Sequence, residues 1–202
     1  MFGGANMTLN LKKITAILLS VVMLFGAVPL FAADFAANAA ENGECGENIS
    51  WIFDGGILEI SGSGEMENYL VSKEPWYSVR SEIKAVIVSE GVTTVGNGAF
   101  YDCSNLTSVT LPSTLTSVGS NAFADCEGLE SIVLPANLAK IGEMAFYASG
   151  IREIAIPASV TSIGVDAFGW CDYLAKITVD ENNAAFQVMK TVFFTAKTKP
   201  CS

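Results

Sequence analysis

VTTVGNGAFYDCSNLTSVTLPST (92–114), LTSVGSNAFADCEGLESIVLPAN (115–137), LAKIGEMAFYASGIREIAIPAS (138–159) and VTSIGVDAFGWCDYLAKITV (160–179) follow one another and say nearly the same thing. Glycines recur at Gly96, Gly119, Gly142 and Gly164, and phenylalanines at Phe100, Phe123, Phe146 and Phe168. Both series step by 23, 23 and 22 residues. A fixed period of this length marks a solenoid, in which a unit too small to bury its own apolar face stacks on its neighbours. The expected fold is mainly β. It is a solenoid of about four 22–23-residue rungs over residues 83–179, with short strands and single helical turns.

Each unit reads as one rung. Val109/Leu111, Ile132/Leu134, Ile154/Ile156 and Ile177/Val179 alternate at period two, so they point inward from short strands. Pro112, Pro135 and Pro157 follow three of these pairs and end the strands, because proline has no N–H for a ladder. A second extended piece follows, at 115–118 and its equivalents, and the glycine then turns the chain into one helical turn carrying Ala-Phe. Asn121 and Asp166 stand before that pair as candidate helix caps. Stacking the rungs places the four phenylalanines in a buried column, with Ala99, Ala122, Ala145 and Ala167 leaving room beside them.

The ends differ from the middle. Ile83 lies 23 residues before Leu106, so the strand series starts there. Residues 40–82 read as an N-terminal capping module: a hairpin around Asp54-Gly55-Gly56, then a short helix opening at Glu74-Pro75. Residues 180–202 read as a turn at Asp180-Glu181-Asn182-Asn183 followed by a further hairpin through Phe186, Val192 and Phe194. No polar closing unit follows, which points to a truncated array.

Lys12 and Lys13, the apolar run 14–30 and the small residues 32–40 form the three regions of a secretory signal peptide. Ala37-Asn38-Ala39 places cleavage at Ala39, with Ala33 as the second choice. Residues 1–39 are thus a leader, and no membrane span is expected once it is removed. The remainder carries 9 basic and 20 acidic residues, a balance of −11, which repels a nucleic-acid partner. The chain has no histidine, which removes Ser-His-Asp and Cys-His chemistry and imidazole metal sites. No catalysis, cofactor or metal is expected.

Cys103, Cys126 and Cys171 share one repeat position, where a buried thiol packs as a small hydrophobe. A disulfide between neighbouring rungs is the competing reading in a secreted chain. Asp102, Asp125 and Glu127 could suggest calcium. Ala148 and Trp170 break that column, so solvated turns are the simpler explanation. The binding candidates are the outward strand positions. Ala85, Ser108, Ser131, Glu153 and Lys176 form one column, and Ile87, Thr110, Val133, Ala155 and Thr178 the other. Small and β-branched residues there make a flat, nearly uncharged strip of the kind repeat proteins use for recognition.

The pattern I-G-x-x-A-F-x-x-C-x-x-L-x-x-[VI]-x-[LI]-P resembles the BspA-like leucine-rich repeat family, also called type-5 or treponemal, over residues 83–179. Ser149 replaces the repeat cysteine, and one residue is missing before Ile151, which should tighten that turn. Residues 45–66 and Pro75-Trp76-Tyr77 look like the opening module of such proteins in gut Firmicutes. The resemblance implies a secreted or cell-surface leucine-rich-repeat module. Its partner would be a protein or glycan surface of a host or a neighbouring microbe, recognised in an adhesion-like way. The alternative is a targeting or spacer fragment of a larger interrupted secreted protein, with the activity lying further C-terminal.

Overall fold

The computed structural model describes residues 41–70 and 72–186. The leader at 1–39 and the hairpin expected through Val192 and Phe194 lie outside the described residues. Within them the chain coils as a stacked series of rungs with strands on two sides.

The front begins with β1 (Glu41–Gly46), β2 (Ile49–Asp54) and β3 (Ile57–Gly62), paired antiparallel in sequence order. Gly55 and Gly56 turn between β2 and β3 at φ 56° and 89°, a left-handed pair that fits the twist of a tight hairpin. From β3 the pairing becomes parallel, to β5 (Ala85–Val88) and then to β7 (Ser108–Thr110). The hairpin therefore extends the front sheet as well as preceding it. A separate pair, β10 (Glu153–Ile156) and β12 (Lys176–Val179), continues the front. The second side is one parallel sheet: β4 (Gly64–Glu65), β6 (Val92–Val95), β8 (Ser117–Val118), β9 (Lys140–Ile141) and β11 (Ser162–Ile163).

The strand expected at Ile132 and Leu134 keeps its inward side chains, each 7% exposed, but not its ladder pairing among the described residues. Proline removes one bond from the front ladder in each middle rung. In the outer rungs Ser89 N–H donates to Ile60 O at 2.9 Å and Asp180 N–H to Ile156 O at 3.0 Å, closing the strand end. Pro112, Pro135 and Pro157 hold the equivalent position in the three rungs between, where that donor does not exist. Side-chain packing holds the middle of the front face in line.

Stacking elsewhere is dense. Phe100, Phe123 and Phe146 are fully buried and their rings lie 5.1 and 5.4 Å apart, within 22° and 6° of parallel. Phe168 continues the column at 5.5 Å, and Trp76 extends it at the other end, 5.5 Å from Phe100. The indole N–H of Trp76 donates to Ala99 O at 2.7 Å, so this large ring is buried without an orphaned donor. The short helix here is a 3-10 helix, Tyr77–Glu82, two residues after Pro75.

The expected single helical turns are i+3→i turns whose remaining N–H groups reach the next rung. Phe100, Phe123 and Phe146 donate to Ala122, Ala145 and Ala167, each at 2.8 Å. Two left-handed residues per turn aim those groups along the stack: Asn121 and Asp125, Met144 and Ala148, Asp166 and Trp170. The caps expected at Asn121 and Asp166 are corrected accordingly. An N-cap residue has extended backbone, whereas these sit at φ 55° and 51° and make no side-chain cap bond among the described residues. Short polar side chains are placed there because they tolerate the left-handed region. The glycine column also has a different reason. At Gly142 a Cβ would lie 2.5 Å from Ser120 N and 2.6 Å from Gly119 C, so glycine lets successive backbones approach.

Candidate recognition face

Strand register brings the outward residues into two rows. Ala85 pairs with Ser108 and Ile87 with Thr110, while Glu153 pairs with Lys176 and Ala155 with Thr178. Ser131 and Val133 stand between these pairs on the unpaired stretch. Nine of the ten are exposed, Val133 at 84%, and Ala85 is half-buried. The rows continue onto the hairpin, where Ile57 faces Ala85 and Glu59 faces Ile87. Ile52 stands opposite Glu59, and both isoleucines are exposed, at 41% and 42%. These hairpin residues were legible in the alternation of residues 48–66 but were not assigned to the face.

The face carries hydroxyls, methyls and one register-matched Glu153–Lys176 pair. A thin strip of this kind can dock a flat surface through shape and hydrogen bonds. At the edge, Arg152 holds Glu130 at 3.0 Å. The hydrogen bond to that guanidinium holds the Glu130 carboxyl below its usual range.

The cysteines lie inside. Cys103 and Cys126 are fully buried and Cys171 is half-buried, all as free thiols. Cys126 donates to Phe100 O at 3.1 Å and Cys171 to Phe146 O at 3.0 Å, so each thiol ties its rung to the spine residue of the rung before. Ser149, which replaces the repeat cysteine, bonds Cys171 at 3.4 Å. Burial pushes the Cys103 thiol up to about 12 and the Cys126 thiol well above its usual value. The acidic column serves the turns: Asp102 binds Arg80 at 2.8 Å, and Asp125 holds the Tyr101 phenol above its usual range. Among the described residues no three Cys, Asp or Glu side chains converge as a metal site, and no helix is long and apolar enough to cross a membrane.

Two features escaped the reading of the sequence. Glu74 is 3% exposed with neither carboxylate oxygen hydrogen-bonded, and burial holds its carboxyl above the usual range despite nearby Arg80. On the flank between turns and front, Trp170 and Tyr173 are 76% and 64% exposed. Their place in the repeat marked them as turn residues and gave no sign of their grouping.

A stack of this geometry, with a continuous outward strip and buried phenylalanines, defines a leucine-rich-repeat solenoid of the kind that serves as an interaction module. The chain belongs to the BspA-type leucine-rich repeat family, whose region matches residues 73–197 in six copies. A leucine-rich repeat protein from Eubacterium ventriosum is similar, with 33% identity and a TM-score of 0.61 over 72% of this chain and 45% of that one. One from Bacteroides ovatus shares 26% identity at TM-score 0.50, over 65% of this chain and 40% of that one. The Treponema pallidum leucine-rich repeat protein shares the fold, at 22% identity and TM-score 0.53, over 72% of this chain and 71% of that one. The chain thus spans less than half the length of the first two. No curated protein matches it.

Proposed function

We propose that this chain is an extracellular recognition module that docks a protein or glycan surface of a host or neighbouring microbe on its front face. Residues 1–39 direct its export, the segment 40–82 caps the array, and no catalytic step is involved. The observation that carries the reading is the exposed double row on the front. In a chain with net charge −10, its ten positions carry one acid, Glu153, and one base, Lys176, and so no net charge. Unbalanced charge costs little on a solvated strand but opposes docking of a flat partner, so the balance here favours a contact surface. β-propensity accounts for the Thr and Val, but not for Val133 at 84% exposure on an unpaired stretch.

The test is saturable binding of the fluorescently labelled protein to intact epithelial cells and to intact bacteria. The reading predicts retention that an excess of unlabelled protein displaces. Retention that does not saturate on either surface contradicts it.

A further inference from the structure

The flank around Trp170 departs from the economy of the rest of the fold. Its ring is 76% exposed and lies 6.4 Å from that of Tyr147, tilted by 38°. Gly169 makes room for the pair, since a Cβ there would meet Tyr147 Cδ2 at 3.1 Å. Trp170 is itself left-handed, at φ 56°. The same turn position holds Asp102, Asp125 and Ala148 in the preceding rungs, so the fold requires only a residue that tolerates this backbone. A tryptophan there adds strain and exposed apolar area while burying little.

The cations of this flank show what the ring lacks. Arg80 covers the ring of Tyr77 at 4.5 Å, and Arg152 covers that of Tyr173 at 5.4 Å. Each arginine is also held by a carboxylate, Asp102 at 2.8 Å and Glu130 at 3.0 Å. Trp170 is the strongest cation acceptor of the three, and among the described residues no guanidinium or ammonium lies over it. Asp172 stands two residues along, and Glu127 occupies the same turn position two rungs before it. Both are exposed and neither forms a salt bridge among the described residues. An exposed ring face is thus present at Trp170 as at Tyr77 and Tyr173, with the arginine missing.

We infer that Trp170, backed by Tyr147 and followed two residues later in the chain by the exposed Asp172, is a second docking site, for an arginine-bearing segment of a partner protein. The partner's guanidinium takes over Trp170 the place that Arg152 takes over Tyr173. This site is separate from the front face and stands or falls independently of it.

The test uses the full chain and a capped hexa-arginine peptide, with affinity measured by calorimetry near physiological salt. Trp51 and Trp76 are buried, so a change in tryptophan emission reports on Trp170. An acidic chain attracts any polycation, but Trp170→Ala leaves the charge unchanged and isolates the ring. Alanine already stands at the equivalent Ala148, so the variant is expected to fold, with melting as the check. The expected result is saturable quenching in the parent and a loss of affinity of roughly tenfold in Trp170→Ala. Equal affinity of parent and variant overturns the proposal. So does quenching by neutral maltohexaose with none by the peptide, which would make the flank a glycan platform.

Discussion

The rings of Phe123 and Phe146 lie 5.4 Å apart and 6° from parallel, one repeat step apart in the chain. The contact repeats from Trp76 to Phe168, so Phe100, Phe123 and Phe146 are each buried by the rungs on either side. Stability is therefore shared between neighbours, as expected of a one-dimensional stack. Phe123→Ala should cost about 3–5 kcal/mol, because it hollows the centre of the column where neighbours cannot close in. Chemical denaturation of parent and variant measures it, and an unchanged midpoint would show that the column does not carry the stack.

Glycine matters for different reasons at different positions. Gly142→Ala puts a methyl against Ser120 N at 2.5 Å, and that backbone is tied into the stack. A loss of at least ~2 kcal/mol is expected, since neighbouring rungs must separate. Gly55→Ala meets nothing within 4 Å and strains only its own φ of 56°, so it should cost about 1 kcal/mol. Thermal melting of the two variants should rank them in that order, and the reverse would refute the close-approach argument.

Glu74 predicts a pH dependence. Its folded carboxyl is held above the ordinary range by burial, so the unfolded chain loses that proton first as pH rises. The group's contribution is fully present below the unfolded carboxylate value and is lost as pH rises through the folded one. Glu74→Gln should therefore melt above the parent at neutral pH. The two melting points should converge as pH falls below the ordinary carboxylate range. A gap that widens on acidification would mean that the carboxylate is stabilised by Arg80 and not disfavoured by burial.

The thiols should be present but slow. Desolvation pushes Cys45 and Cys103 up to about 12, which leaves little thiolate at neutral pH. Alkylation of the folded chain should leave Cys45, Cys103 and Cys126 unmodified in mass spectrometry of the digest. The unfolded, unreduced chain should expose all five cysteines of the sequence. Only three reactive groups on unfolding would establish a disulfide.

The period of 23 residues carried most of the fold, because glycine, Ala-Phe and the strand pairs each repeat in phase. It also fixed which face of each strand looks outward, hence the two rows from Ala85 to Thr178. Three things were not legible. The spine's extension to Trp76 breaks the period, and only packing reveals it. The caps assigned to Asn121 and Asp166 failed because a short polar residue serves both an N-cap and a left-handed turn, and the sequence does not separate them. The opening of the front ladder at Ile132 was not legible either, since Pro112, Pro135 and Pro157 recur in phase and β5 still pairs with β7 beside Pro112.

The central claim is that recognition runs through the front strands. Thr110→Lys with Val133→Lys places two charges in the middle of that face, on side chains that are already exposed. Ala136→Lys with Ala158→Lys places the same two charges on exposed turn positions as the control. Flow cytometry of the labelled proteins on whichever intact cells retain the parent compares the three. The account predicts that the front pair loses at least roughly tenfold in half-saturating concentration, the scale expected for two charges driven into a docked surface. The control pair should bind as the parent does. Undiminished binding by the front pair, with loss in the turn pair, would contradict the account.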